Sequence, residues 1–184
     1  TVPTPSQAAS SPALQQVRLL RSQIDQRLGE LLPPPEHARD LVGIAMREGT
    51  LAPGKRLRPL LLLLAARGLG QPAAPLMDLA CALEMVHAYS LIHDDLPCMD
   101  NDDMRRGRPS CHIAFGESVA LLAGDGLLTK AFETLSYSQL PPAQIVQVVG
   151  ILAKAAGHLG MIGGQRLDLE NETITVSIER VEQT

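Results

Sequence analysis

Apolar and polar positions follow each other along this chain with a helical period. Between residues 13 and 32, Leu14, Val17, Leu20, Ile24, Leu28 and Leu31 recur at steps of three and four, which places them on one helix face. Pro33-Pro34-Pro35 stops that helix. A second helix is expected from Glu36 to Glu48, followed by a loop from Gly49 to Gly54. Pro59 suits the first turn of a third helix, which carries the run Leu60 to Leu64. Gly68, Gly70 and Pro72 end it. The stretch from about Ala74 to Leu96 is apolar nearly all round, so it is expected to be central and buried. A loop dense in charge spans Pro97 to Ser110. Further helices are expected from Glu117 to Tyr137, from Ala143 to Met161 and from Val176 onward, with Gly163-Gly164 leading into Gln165 to Asn171. No segment alternates with the period of a strand. The fold class is therefore all-α, a helical bundle.

Composition supports that class. Aromatic residues make up 2% of the chain, less than a β-sandwich needs, while Leu, Ala, Arg, Glu and Gln favour helices. The 184 residues are divided into a tail over 1–12, rich in Pro, Ser, Thr and Ala, and a single domain over 13–184. The chain stops inside a helical pattern without a stop signal, so it is expected to be the N-terminal part of a longer domain. The net charge of -4 gives no field of one sign, which argues against nucleic acid as a partner. The longest strongly apolar run, Leu60 to Ala66, is too short to cross a bilayer, and no stable membrane association is expected. Three cysteines without CxxC spacing, and an N-terminus lacking a basic start and an apolar stretch, point to a cytoplasmic location.

The chemistry concentrates at the end of the central helix. Asp94, Asp95, Asp100, Asp102 and Asp103 lie within ten positions, and Arg105-Arg106 follow directly. Carboxylates this close raise one another's pKa unless cations intervene. Oxygen ligands of this kind suit a hard ion such as magnesium, which takes phosphate oxygens as further ligands. His87 and Ser90 share roughly the face of Asp94, so a polar stripe climbs an apolar helix to its acidic end. In a regular helix Asp100 would point away from Asp94. Pro97 breaks the ladder, so the helix is expected to bulge or end near Leu96 and let Asp100 swing back.

A second cluster is basic: Gly54-Lys55-Arg56-Leu57-Arg58-Pro59. Lys55 and Arg58 are three apart and share a face if a helix starts there, at an end where free amides also favour anions. Cys111-His112 does not suggest zinc, since adjacent side chains diverge and no further ligands are suitably spaced. Asp125, between Gly124 and Gly126 in an apolar helix, is expected to be a buried hydrogen-bonding residue, with the glycines admitting another helix.

GKRLRP, HAYSLIHDDLPCMDNDDMRRGRPSCH, LAGDGLL and GGQRLDLE, in this order and spacing, resemble the trans-isoprenyl diphosphate synthases, from about Leu19 to the end of the chain. Within that family the sequence is similar to the bacterial type of farnesyl diphosphate synthase, in which two extra residues, here Pro97 and Cys98, widen the first aspartate-rich motif. The resemblance implies an isoprenoid-synthase bundle that joins isopentenyl diphosphate head-to-tail to an allylic diphosphate, using magnesium, with manganese as a substitute. By position it implies that Asp94, Asp95 and Asp100 hold the metal and that Arg105 contacts the allylic diphosphate. It implies that Gly54, Lys55, Arg58, His87 and Arg106 bind isopentenyl diphosphate and that Gln165 lies near the allylic site. Tyr89, five residues before Asp94, would floor the cavity and limit product length. A homodimer is implied as well. The family also uses a Lys-Thr pair and a second aspartate-rich motif, which these residues lack, so the 184-residue piece alone is expected to be inactive. A terpene cyclase shares the fold but does not need GKRLRP. A non-catalytic partner subunit would usually have lost acids from the first motif.

Overall fold

The computed structural model describes residues 11–172. Among them eight α-helices and one two-stranded hairpin form an all-α bundle. The first helix, α1 (Pro12–Leu31), starts on Ser11, whose hydroxyl accepts the Leu14 N–H at 3.2 Å, with Pro12 in the first turn. Of its expected stripe, Leu20, Ile24 and Leu28 are buried, Val17 and Leu31 are half-buried, and Leu14 in the first turn is exposed. The second helix, α2 (Leu41–Leu51), begins five residues later than expected. Asp40 caps it by accepting the Gly43 N–H at 2.9 Å. A strong N-cap therefore outweighs the helix formers that precede it. Arg47 of α2 donates to the carbonyls of Gly29 and Leu32, which ties α2 to the end of α1.

Helix α3 (Leu57–Gly68) carries Pro59 in its first turn and ends before Gly70, whose φ of 74° lets Gln71 N–H return to the Ala66 carbonyl. A 3-10 turn (Ala74–Leu76) leads into α4 (Met77–Asp94), the central helix. It is buried nearly all round and packs against α1, α2, α3 and, most extensively, α6 (Glu117–Ser136). Ile24, Leu28, Leu63 and Met85 are fully buried in the core. Each contributes about 1.5–3 kcal/mol relative to remaining exposed. Two glycines admit the neighbours of α6, Gly124 towards α4 and Gly126 towards α2. A Cβ at Gly124 would overlap the His93 ring, and one at Gly126 would lie 2.7 Å from the Met46 sulfur of α2.

Between α4 and α6 the charged loop contains elements the apolar pattern does not show. Strands β1 (Met104–Arg105) and β2 (Arg108–Pro109) pair antiparallel around Arg106 and Gly107, both at positive φ, and α5 (Cys111–Phe115) follows. Helix α7 (Pro142–Ala156) ends five residues before the expected Met161, with Gly157 as its C-cap, and α8 (Met161–Glu172) absorbs Gly163, Gly164 and Gln165. Of the expected tail over 1–12, residues 1–10 lie outside the described residues and Pro12 already belongs to α1, while the helix expected from Val176 lies outside them altogether.

Among the described residues two stretches are long and apolar enough by composition to cross a membrane, 74–94 and 142–171. The first is the core helix. In the second, 11% of the apolar window is buried, with Val146 and Ile151 facing outward. A count of consecutive apolar residues such as Leu60 to Ala66 passes over it, because small and polar residues interrupt its Val, Ile and Leu.

Candidate active site

The acidic end of α4 is built by a chain reversal. The last helical residue is Asp94, two positions before the expected break, and Asp95 takes the C-cap. Pro97 has no N–H to extend the ladder. Met99 and Asn101 N–H then donate to the Leu96 carbonyl at 2.9 and 3.2 Å, and Asp100 N–H donates to the Asp94 carbonyl at 2.8 Å. Asn101, at φ 54°, completes the reversal. Asp100 is thereby brought back to Asp94, as the sequence requires. Gln165 of α8 donates its amide to Asp94 Oδ1, so the far end of the chain joins the same site.

The three expected metal carboxylates do not share one environment. Asp94 has its carboxyl raised above the usual range, by burial first and then by the nearby Asp100 charge, against the Gln165 hydrogen bond. Asp100 is exposed. Asp95, by contrast, is 2% exposed and faces Arg105. Arg105 Nε lies 2.8 and 2.9 Å from its two oxygens, and Nη2 lies 2.6 Å from Oδ1. The difference has a plain cause: a guanidinium fork matches a carboxylate in two-point contact, and here Arg105 engages Asp95 and not Asp94 or Asp100. Among the described residues no three His, Cys, Asp or Glu side chains converge into a closed metal cage. An open pair of crowded, under-compensated carboxylates, Asp94 and Asp100, still fits magnesium, which takes one or two carboxylates together with phosphate oxygens.

The basic cluster lines a separate pocket of about 540 Å³. Gly54, Lys55, Arg58, His87 and Arg106 all border it, so every residue expected at the second anion site is there. The reason differs from the expected one. Lys55 precedes α3, and the shared wall, not a helix face, brings it to Arg58. Gly54 has a steric role: a Cβ would lie 2.5 Å from Arg106 Nη1. Arg106 also donates to the Pro53 carbonyl at 3.2 Å. The hairpin thus sends Arg105 to the acidic loop and Arg106 to the basic one. His87 is held below its usual pKa by burial first and by Arg58 next, so it is neutral near pH 7 and can offer a hydrogen bond.

Sequence reasoning missed three residues at this wall. Arg21 of α1 borders the pocket, and no sequence signal marks it. Arg56 turns inward, buried, with φ 50° and ψ 39°. A left-handed non-glycine residue costs about 1–2 kcal/mol. Arg56 donates to Asp25 at 2.7 Å, to Glu84 at 2.8 Å and to the Ala52 carbonyl at 3.1 Å. Burial alone would lower its pKa, but Glu84 and Asp25 together hold it raised. Glu84 is the lone carboxylate in the middle of an apolar helix, a position that itself calls for a buried cationic partner.

Other expectations are settled by placement. Asp125 is not buried: its side chain is 63% exposed, 4.0 Å from His93 Nε2, because the apolar face of α6 lies on the other side. Cys81 and Cys111 are pushed up by burial to about 12 and 11, so neither is a thiolate nucleophile. Tyr89 is buried beside His93, ring centroids 5.7 Å apart and nearly perpendicular, and its hydroxyl has no hydrogen-bond partner.

An acidic pair that can take a cation and a basic pocket that can take an anion are joined through a two-arginine hairpin. The polyprenyl synthetase family model matches residues 40–184. The chain belongs to that family. It is 48% identical over 172 residues to a geranylgeranyl diphosphate synthase of Pseudescherichia vulneris, covering 92% of this chain and 55% of the relative. It is 51% identical over 141 residues to a farnesyl diphosphate synthase of Geobacillus stearothermophilus, covering 75% of this chain and 48% of the relative. A crystal structure of an FPP/GFPP synthase from Zymomonas mobilis superimposes with a TM-score of 0.86 at 40% identity, over 92% of this chain and 62% of that one. The fold is accordingly the isoprenoid-synthase bundle. The chain spans about half the length of the curated relatives it matches.

Proposed function

We propose that the full-length protein condenses isopentenyl diphosphate with an allylic diphosphate, and that this chain supplies the first magnesium-binding wall and the isopentenyl diphosphate pocket. One observation carries the reading: Arg105 and Arg106, adjacent in one hairpin, reach two different clusters, so two diphosphates are held next to each other. Lys55, Arg58 and Arg106 face the isopentenyl diphosphate charge, and neutral His87 and the Gly54 backbone border the same pocket. Asp94 and Asp100 would hold magnesium, or manganese in its place; when bound, the ion offsets charge that grows on the leaving diphosphate. Arg105, steadied by Asp95, adds a fixed positive charge beside it. The allylic carbon–oxygen bond breaks with its electron pair leaving on diphosphate. The isopentenyl double bond then forms the new carbon–carbon bond, and the released diphosphate accepts the proton that is lost. No Ser, Cys or His nucleophile takes part.

Relatives carry both farnesyl and geranylgeranyl names. Burial of Tyr89 one and a half turns below Asp94, with a hydroxyl that satisfies no partner, supports its use as a floor and hence farnesyl diphosphate as the main product. Exposure of Leu121 and Leu122 on α6 supports a homodimer through that helix. A cytoplasmic location accords with the unpaired cysteines. The test is incubation of full-length protein with labelled isopentenyl diphosphate and dimethylallyl or geranyl diphosphate. Product that appears with magnesium and vanishes with chelator supports the reading; no product under either condition contradicts it.

A further inference from the structure

Arg56 borders the same pocket as its neighbours in the basic motif, yet its guanidinium is buried and turned inward. Its guanidinium is 3% exposed, and each of its three nitrogens donates inward, to Asp25 of α1, Glu84 of α4 and the Ala52 carbonyl before the loop. Glu84 is equally buried, 4% exposed, and has Arg56 at 2.8 Å. The pair is neutral as a unit, so it adds nothing to the field that an anion in the pocket would meet. What it fixes is the backbone. Arg56 is in the left-handed region, and the chain reverses there: Lys55 on one side and Arg58 on the other both reach the pocket. Gly54 and the Arg106 guanidinium are packed against the same turn. A strained turn of this kind persists only where its surroundings over-determine it, and the three inward hydrogen bonds do so from two helices and a loop. Glu84 also stands one turn before His87 on α4, so the pair aligns the motif with the histidine.

We propose that Arg56, locked by Glu84 and Asp25, is the positioning residue of the isopentenyl diphosphate pocket. It sets the turn that presents Lys55 and Arg58, and it does not touch the substrate. This rests on the function proposed above for the pocket.

The test separates positioning from direct binding by the sign of one change. Glu84→Gln keeps the side-chain shape and releases Arg56 from its negative partner, which makes the pocket more positive. If Arg56 were a direct ligand, the KM for isopentenyl diphosphate would fall or hold. Positioning requires it to rise, by roughly tenfold, the order expected when a charge-assisted hydrogen bond is lost. The KM for the allylic diphosphate should change little. Asp25→Asn, at a side chain 42% exposed, is a second variant that does not leave a buried charge unpaired, and a smaller rise in the same KM is expected. It decides the matter if Glu84→Gln does not fold. Arg56→Lys should recover part of the loss seen in Arg56→Ala. An unchanged or lowered KM for isopentenyl diphosphate in folded variants overturns the proposal, as does an equal rise for both substrates. If the wild-type full-length protein makes no product, the function reading has failed instead. Calorimetric titration with inorganic diphosphate then still tests the positioning, with weaker binding expected in both variants and unchanged binding against it.

Discussion

Replacing Asp95 with alanine would strip Arg105 of both oxygens it now grips at 2.6–2.9 Å. Loss of one partner from a fully buried pair costs about 3–5 kcal/mol. The Arg105 side chain is 32% exposed and can turn to water, so the smaller cost of a charge-assisted hydrogen bond applies, about 1.5–3 kcal/mol. At roughly 2–4 °C per kcal/mol for a domain of 150–250 residues, Tm should drop by about 3–12 °C. Asp94→Asn should behave in the opposite way. The Asp94 carboxyl is raised in the folded state by burial and by Asp100. A raised carboxyl favours the fold below its unfolded value, about 3.9, and that gain is lost as pH rises through the folded value. At neutral pH the ionised group therefore costs stability, and removing its charge should leave Tm at or above the wild type. The assay is a thermal melt of full-length protein at neutral pH with chelator present. Asp95→Ala melting with the wild type, or Asp94→Asn falling as far as Asp95→Ala, would refute the division of these neighbours into a positioning acid and a metal-holding acid.

Tyr89→Ala should shift products to twenty carbons or longer, read by chromatography after dephosphorylation, whereas Tyr89→Phe should keep the distribution and equal or exceed wild-type stability, since it removes a buried hydroxyl without a partner. Gly124→Ala drives a methyl into the His93 ring and should destabilise by about 1–3 kcal/mol, as chemical denaturation will show. His87 is depressed by burial and Arg58, so the stability of its neutral form is present above about pH 6.5 and lost as pH falls through its folded value. His87→Gln should make Tm less sensitive to pH between about 7 and 5.

Much of this molecule is legible in its sequence for identifiable physical reasons. Leu20, Ile24 and Leu28 announce α1 because one buried face leaves a periodic trace, and the apolar run before Asp94 announces the core helix. Pro97 foretells the return of Asp100, since a missing N–H is a local property. Features decided by three-dimensional direction were not legible. Nothing in GKRLRP says that its second basic residue turns inward while the first and third turn out. Asp125 looks buried from its apolar neighbours, yet lies on the outer face of α6. The two-residue strands are too short to leave a pattern, and the Asp40 cap overrides the helix formers before it.

The division of labour between the two clusters is tested most directly by two-substrate steady-state kinetics on full-length Arg58→Ala and Asp94→Ala. Arg58→Ala should raise the KM for isopentenyl diphosphate and leave that for the allylic diphosphate nearly unchanged. Asp94→Ala should instead lower kcat, by about two to three orders of magnitude or more, with the isopentenyl diphosphate KM retained. Equal effects of Arg58→Ala on both substrates, or near wild-type turnover in Asp94→Ala, would contradict it.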